Sequence, residues 1–148
     1  MSDTENTSAT QLAPPVPTAY AAAVLNFLTD EGFRPKLDDD GDVHFKYEGG
    51  TYFVLTAGND PTHLALLYPF FWPLEDAAER ARALEAAMHA QRQVRVGRIL
   101  VLEHDVSANV SAYLPDEQSF RAVLLRSLEG LKYLVLKFQE HMRAQLEN

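Results

Sequence analysis

The stretch DVHFKYEGGTYFVLT, residues 42–56, decides the fold of this chain. In its first half Val43, Phe45 and Tyr47 alternate with polar side chains, which is the period of a strand with one buried face. The Asp-Gly pair at residues 40–41 suits a tight hairpin turn, because the central residues of such a turn need positive φ. We therefore predict a strand–turn–strand unit here.

Turn-forming residues on both sides extend this unit into an antiparallel meander. Residues 34–37 are predicted as a short first strand, and the Glu-Gly-Gly turn at residues 48–50 leads into a strand over residues 51–56. The sequence AGNDP at residues 57–61 is typical of a turn, because Asn and Asp can hydrogen-bond their own backbone. An extended run over residues 63–70 then pairs with the preceding strand or continues it after a bend.

Helical patterns flank the meander. Thr18 can cap a first helix that ends at Gly32, a residue suited to the left-handed position after a helix. A second helix is predicted over residues 74–93, with an alanine-rich face that packs on the sheet. The residues that we place on this buried face are Ala77, Ala81, Leu84, Ala87 and Met88.

A hairpin and a long helix complete the chain. Strands are predicted over residues 94–102 and 106–114, and Asp116 can cap the last helix. Its apolar residues keep helical spacing over about six turns: Phe120, Leu124, Leu128, Leu131, Val135, Phe138 and Met142. A second apolar set widens this surface: Val123, Leu125, Leu134 and Leu136. A helix that is apolar on more than one side usually covers a sheet and also meets a partner.

These elements define an α+β fold: a helix, an antiparallel β-meander, a second helix, a β-hairpin and a long C-terminal helix in a two-layer sandwich. The chain has 148 residues, the size of one domain. We predict a single domain over residues 18–145. We predict a disordered tail over residues 1–17, because its three prolines fix φ and remove backbone donors.

Composition excludes several classes of function. The formal net charge of −8 repels phosphate backbones, which argues against nucleic-acid binding. The chain has no cysteine, which suits a reducing compartment. No apolar run approaches the about 20 residues that cross a bilayer, and Asp3 and Glu5 stand where a secretory signal carries basic residues. We therefore expect a cytoplasmic protein without a membrane partner.

The residue types of common active sites are present without the spacing that their chemistry needs. The histidines include no pair at metal-ligand spacing, although His44 and His63 could meet across the sheet. The acidic run that starts at Asp38 lacks the sixth-position glycine and twelfth-position glutamate of a calcium loop. No Gly-x-Ser-x-Gly motif occurs, and Ser107 and Ser111 have no evident activating partner. We expect no enzyme activity, no catalytic residue, no metal and no cofactor.

An aromatic cluster after the meander is the most distinctive candidate for a partner-binding site. Its members are Tyr68, Phe70, Phe71 and Trp72. Aromatic residues are enriched at the energetic centres of protein interfaces. They also carry large burial energies, so filling the seam between sheet and helix is the alternative interpretation.

Several motifs carry a family resemblance. Gly32-Phe33 follows the first helix, DDDGDVHF at residues 38–45 opens the meander, GRILVL at residues 97–102 follows the alanine-rich helix, and Leu114-Pro115 precedes the long helix. With this order of elements, residues 18–142 resemble the YbjN-like proteins, whose fold is similar to that of small dimeric type III secretion chaperones. The resemblance implies a homodimeric sandwich without enzyme activity that binds an extended segment of another protein in apolar grooves.

Two hypotheses of function follow. The first is a chaperone-like, protein-binding homodimer that grips its partner through the aromatic cluster and the outer face of the last helix. On that face we place Leu125, Leu134 and Leu136, as partner surface or as dimer seam. The second is a small-molecule-sensing regulatory domain with a pocket between the sheet and the helices. The identity of the partner or ligand cannot be derived from the residues.

Overall fold

The structure is a computed structural model, and it describes residues 16–147 of the chain. The helices are α1 (Ala19–Asp30), α2 (Ala77–Gln93) and α3 (Phe120–Glu147). The strands are β1 (Lys36–Leu37), β2 (Val43–Tyr47), β3 (Gly50–Val54), β4 (His63–Tyr68), β5 (Arg98–Val101) and β6 (Val106–Tyr113). The predicted α+β fold and its order of elements are confirmed. Residues 1–15 of the predicted tail lie outside the described residues.

The strands form one six-stranded antiparallel sheet in the order β1-β2-β3-β4-β6-β5. β1 to β4 follow chain order, as the meander predicts, whereas β6 inserts between β4 and β5. β6 pairs along all of β4, from His63↔Tyr113 to Tyr68↔Ala108. β5 is shorter and pairs only with the first half of β6, ending at Arg98↔Asn109. The second half of β6 therefore has a neighbouring strand on one side alone.

One face of the sheet carries the core. Its buried residues alternate along the strands and include Val43, Phe45, Tyr52, Val54, Leu64, Leu66, Ala108 and Val110. The opposite face remains at the surface, where His44, Phe53, Leu67 and Asn109 lie side by side across β2, β3, β4 and β6. The helices therefore cover one side of the sheet, which gives the two-layer architecture.

Local signals set the ends of α1 as predicted. The hydroxyl of Thr18 accepts the N–H of Ala21 at 3.1 Å, which caps the first turn. Gly32 has φ of +98°, the left-handed conformation that ends helices. The ring of Phe33 then meets Phe45 edge-on, with 5.3 Å between ring centroids. This contact ties the end of α1 to β2.

α2 turns a different face to the core from the one that the sequence predicts. Its buried residues are Ala83, Ala86, Ala87 and Ala90. Leu84 and Met88 are 47% and 58% exposed, and Ala77 and Ala81 are exposed as well. The prediction that these four residues are buried was wrong. A row of small side chains lets α2 approach α3 and the sheet closely, so the larger residues lie outside the contact.

α2 also covers the outer edge of β5. The side-chain Oε1 of Gln91 accepts the N–H of Ile99 at 2.8 Å. One turn from the start of α2, Arg80 donates its Nε–H to the carbonyl of Leu102 at 3.1 Å. Unpaired strand edges invite association with other chains, and α2 covers this edge with one contact on β5 itself and one on the residue that follows it.

The long apolar stripe that the sequence predicts for the last helix is confirmed in α3. All seven residues of the first predicted set are buried, from Phe120 to Met142. Asp116 accepts the N–H of Gln118 and the hydroxyl proton of Ser119 in the turn that leads into the helix. In the part of the chain that the structure describes, no helix combines the length and the apolar character that crossing a membrane requires.

Candidate functional site

The aromatic cluster divides into a packed part and one exposed member. Tyr68 stacks on Phe71 with 5.4 Å between ring centroids, and Phe71 and Trp72 each meet Phe138 of α3 edge-on. The indole Nε1–H of Trp72 donates to Glu79 of α2 at 3.2 Å. Three of the four candidate residues thus fill the seam between the sheet and the helices, which is the alternative interpretation of the cluster.

Phe70 is the exposed member. Its side chain is 68% exposed, and its backbone has φ of +51°. A left-handed conformation costs a non-glycine residue roughly 1–2 kcal/mol, so a surface phenylalanine in this state is unusual. Its backbone N–H donates to the hydroxyl of Ser107 at 2.9 Å, and Ser107 is buried. Of the four predicted partner-binding residues, Phe70 alone presents most of its ring to solvent.

The second candidate surface, on α3, does not form one face. Leu134 is fully buried, so its predicted place on the outer face was wrong. Leu125 is half-buried, and Leu136 is 38% exposed. Leu125 and Leu136 are three turns apart, and Glu129 and Lys132 lie between them on that side of the helix. The outer face of α3 is therefore mixed in character and not a continuous apolar seam.

The structure shows a different open surface, at the second half of β6. Successive residues of an antiparallel strand point their N–H and C=O groups alternately to the two neighbouring strands. The N–H of Leu114 donates to the carbonyl of Thr62 at 2.7 Å, on the β4 side. Ser111 and Tyr113 therefore point their backbone groups to the β5 side. There, no backbone group among residues 16–147 pairs with them.

Two glycines shape the chain before β5, next to this edge: Gly97 brings it close to β6, and Gly130 receives Val96 on α3. Gly97 has φ of +89°, and a Cβ added there would lie 3.1 Å from the carbonyl oxygen of Asn109. A Cβ on Gly130 of α3 would lie only 2.7 Å from Cγ2 of Val96. Val96 therefore packs onto the bare helix surface at Gly130 and does not continue β5 alongside Ser111. This packing explains why β5 starts at residue 98 and not at residue 94, where the sequence predicts it.

A groove of about 680 Å³ results between the free half of β6 and α3. We call it the β6-edge groove, and its apolar lining is Val96, Val110, Ala112, Leu114, Ala122 and Val123. Ala112 belongs to the core-facing positions of β6, yet it is exposed because no side chain of residues 16–146 covers it. The groove thus combines unpaired backbone groups with an apolar wall.

Charges of opposite sign mark the two ends of the β6-edge groove. Arg95 and Arg98 lie at the end where β5 begins, and the Nε–H of Arg98 donates to Asn109 at 3.1 Å. Asp116 and Glu117 follow Pro115 at the other end. Hydrogen bonds from the Ser119 hydroxyl and the Gln118 N–H lower the pKa of Asp116 below its ordinary 3.8, so its carboxylate stays charged near neutral pH.

A hydrogen-bonded chain of side chains surrounds Ser111 on the open face of the sheet. Its Oγ lies 2.8 Å from Nε2 of His63, and Nδ1 of His63 lies 3.3 Å from Oδ1 of Asn59. The amide Nδ2 of Asn59 donates to the carbonyls of Leu55 and His63, both at 2.9 Å. Oδ1 of Asn59 must therefore accept from Nδ1–H of His63, which leaves Nε2 to accept the Ser111 proton. No sequence pattern indicates this partner of Ser111, because 48 residues separate the two.

Burial raises the pKa of the Tyr52 hydroxyl, and the neighbouring Tyr68, Tyr47 and Glu48 raise it further, so this phenol stays protonated. His44 and His63 do not meet across the sheet. β3 lies between their strands, β2 and β4, and His44 pairs with Phe53 of β3. Within the described residues, no group of three or more His, Asp or Glu side chains could hold a metal ion.

No single sequence signal marks the β6-edge groove. Its edge exists because β6 is longer than β5, and that difference depends on the contact of Val96 with Gly130, 34 positions apart in the chain. Gly130 inside an otherwise continuous helical pattern was a usable hint of a close approach. The residue that approaches it was not predictable from spacing.

Comparison of the chain with models of protein families and with curated proteins finds no match.

Proposed function

We propose that this protein is a non-enzymatic, protein-binding module that captures an extended segment of another polypeptide in the β6-edge groove. One observation carries the proposal: beside an apolar wall, the backbone donors and acceptors of Ser111 and Tyr113 that face away from β4 pair with no backbone group of residues 16–147. An added strand can satisfy these groups, and the groove gives its side chains an apolar surface. The groove length between Ser111 and Pro115 suits about four or five residues, at about 3.3 Å for each residue.

The remaining edges of the sheet support this choice of surface. The outer edge of β5 is blocked by Gln91 and Arg80, and β1 at the other edge has only two residues. Short or covered edges resist pairing with other chains. Among the described residues, no strand or helix covers the edge of the second half of β6, whereas the other edges are short or covered.

The resemblance to YbjN-like proteins and type III secretion chaperones supports the same class of function, a homodimer that shelters an extended segment in the cytoplasm. The acidic charge suits a protein that does not bind nucleic acid. The seam of the proposed homodimer does not include Leu134, because that side chain is buried. Phe70 remains a separate candidate for a partner contact, at the opposite end of β6.

Ser111, His63 and Asn59 are hydrogen-bonded in the order of a nucleophile, a base and an orienting group. Their exposed position on the sheet argues against catalysis. Ser111 is exposed on the open face, and hydrolytic sites depend on donors that act away from bulk water. We expect the wild-type protein and Ser111→Ala to hydrolyse p-nitrophenyl acetate at the same rate. A rate that depends on Ser111 would contradict the non-enzymatic part of the proposal.

The volume of the β6-edge groove favours a second candidate, a small-molecule-sensing domain. About 680 Å³ with a largely apolar lining lies within the range of ligand sites. Such a ligand needs the apolar wall, but it does not need the backbone groups of β6. Variants that alter these two features separately distinguish the candidates.

The experiment selects ligands from two libraries of random hexapeptides displayed on phage. In the first library each hexapeptide ends in a free carboxyl terminus, and in the second it is flanked by coat protein on both sides. Dissociation constants of the synthesised peptides are then measured for the wild-type protein, Ser111→Pro and Ser111→Ala. Proline removes the N–H that faces the free edge and leaves the pairing with β4 intact, because Ser111 does not hydrogen-bond to β4. Alanine keeps the N–H and removes only the contact with His63.

We expect Ser111→Pro to weaken binding about tenfold or more and Ser111→Ala to bind as the wild type does. Ala122→Trp fills the groove from an exposed helix position and gives the same test without a change in the strand. Circular dichroism confirms that each variant is folded. The proposal is wrong if neither library yields a binder, or if binders ignore both Ser111→Pro and Ala122→Trp. A metabolite whose binding is lost in Ala122→Trp and kept in Ser111→Pro would support the sensor.

A further inference from the structure

The β6-edge groove is closed at one end by the protein itself. At Gly97 the chain returns to β6, so close that an added Cβ would lie 3.1 Å from the carbonyl oxygen of Asn109. The ladder position opposite Val110 is therefore occupied by Gly97, whereas no residue of the range 16–147 pairs at the positions opposite Ser111 and Tyr113. A captured segment that pairs with Ser111 cannot continue past Gly97 in the plane of the sheet.

The closed end is also the positively charged end. Arg95 lines the groove there, and Arg98 lies beside Ser111 and Asn109 on the adjoining surface. Among residues 16–146, no carboxylate forms an ion pair with either arginine. Two guanidinium groups that pair with no carboxylate of residues 16–146 lie where a bound chain must stop, and they favour a chain end that carries negative charge.

From these two features we infer that the β6-edge groove receives the carboxyl-terminal end of a polypeptide. The segment runs antiparallel to β6, and its terminal carboxylate lies beside Arg95 and Arg98. The inference rests on the proposed capture of an extended segment and adds the chemistry and direction of that segment. A parallel segment would instead place the ammonium group of an amino terminus at the arginines, where it would meet charges of its own sign.

The register also fixes which side chains of the segment are apolar. The last residue pairs with Ser111, so the penultimate residue lies opposite Ala112 and the fourth from the end lies opposite Leu114. Ala112 and Leu114 belong to the positions of β6 that face α3, where Ala122 and Val123 complete the apolar wall. The penultimate and fourth-from-last side chains therefore enter the groove. The last and third-from-last side chains lie on the open face, beside Ser111 and Tyr113.

The test uses the best hexapeptide from the free-carboxyl library, synthesised as the free acid and as the carboxyl-terminal amide. We expect the amide to bind about tenfold more weakly, because it loses a charge-assisted contact. In the double variant Arg95→Gln and Arg98→Gln the difference between acid and amide should vanish, and the amide should bind as it does to the wild type. Arg126→Gln, on the exposed outer face of α3, is the matched control and should keep the full difference.

A second comparison tests the register. Peptides with valine at the penultimate and fourth-from-last positions and serine elsewhere should bind more tightly than peptides with the two residue types exchanged. Equal binding of the acid and the amide, or a preference for peptides flanked on both sides, would overturn the inference and leave peptide capture intact. Light scattering tests a third possibility. If the wild type is a dimer and Ser111→Pro is a monomer, the edge of β6 binds a second copy of this chain, and the inference is also overturned. A lack of binders in both libraries, or binding insensitive to both Ser111→Pro and Ala122→Trp, refutes peptide capture itself.

Discussion

The backbone N–H of Phe70 donates to the hydroxyl of Ser107 across 2.9 Å, and this contact holds an exposed phenylalanine in a left-handed conformation. Ser107 is buried on β6, so a rigid strand anchors the strained residue. Backbone strain of this kind persists when the surrounding structure imposes it, and it is often found at functional positions.

Replacing Phe70 with asparagine should therefore stabilise the protein. Asparagine tolerates positive φ, whereas phenylalanine carries the cost, so we expect the free energy of unfolding to rise by about 1 kcal/mol. Urea denaturation measures the change. Tyr113→Asn is the matched control, because Tyr113 is 90% exposed in an extended strand and should give no gain. Equal stability of the two variants would contradict strain at Phe70, and Phe70→Asn should leave peptide binding in the β6-edge groove unchanged.

The contact between Val96 and Gly130 should show strong coupling between the two positions. Alanine is favoured over glycine in a helix by about 1 kcal/mol, but a Cβ at Gly130 would lie 2.7 Å from Val96 Cγ2. Gly130→Ala should therefore destabilise the wild-type protein, whereas the same change in a Val96→Ala background should stabilise it by about 1 kcal/mol. A double-mutant cycle by urea denaturation checks this reversal of sign. Additive effects would show that Val96 moves away at no cost.

The stability of the protein should depend on the hydrogen bond that Gln91 accepts from the edge of β5. Gln91→Ala leaves the N–H of Ile99, which is partly buried, without its partner, and we expect a loss of about 1–3 kcal/mol in the free energy of unfolding. Gln91→Glu keeps an acceptor oxygen and should lose less. Gln93→Ala serves as the control, because among residues 16–146 the Gln93 amide hydrogen-bonds only to His89 of the same helix. A similar loss in Gln91→Ala and Gln93→Ala would show that the edge contact does not contribute.

Stability at acid pH should depend on Asp116. Its pKa is lowered from 3.8 by the Ser119 hydroxyl first and by the Gln118 N–H next, so the folded state favours the charged form. A depressed pKa stabilises the fold above the unfolded value, and this contribution disappears as pH falls through the folded value. The stability difference between the wild type and Asp116→Asn should therefore be constant above about pH 5 and shrink as the pH falls below that value.

Urea denaturation across this pH range measures the difference. Ser119→Ala removes the largest cause of the shift and should move the loss of stability back toward pH 3.8. A wild-type advantage over Asp116→Asn that stays the same from pH 7 to pH 2 would exclude the carboxylate as the source.

The amino-acid order predicts the local structure closely. The alternation around Phe45, the cap at Thr18 and the left-handed Gly32 each act within a few residues, and the structure confirms all three. The buried face of α2 was predicted wrongly. A hydrophobic pattern places large apolar residues such as Leu84 and Met88 on the buried face, whereas both are exposed. The alanines are buried instead, because α2 packs closely against α3 and leaves room only for small side chains. The distance between the two helices cannot be derived from the α2 sequence alone.

The candidate site was less predictable. Aromatic composition pointed to residues 68–72, but three of these rings find partners in Tyr52 and Phe138, which lie far away in the chain. The partner of Ser111 was missed for the same reason, since β4 brings His63 to it across the sheet. Side-chain type is visible in a sequence, whereas exposure depends on what packs against it.

The sequence by itself determined the elements of this protein: the helices, the meander, the turns and the α+β class, because periodicity and turn chemistry act over short separations. Only the tertiary structure decided that β6 lies between β4 and β5 and that half of its edge has no pairing strand among residues 16–147. That opening depends on Val96 meeting Gly130 and on Gly97 meeting Asn109. These steric contacts exist only after the hairpin and the long helix have come together.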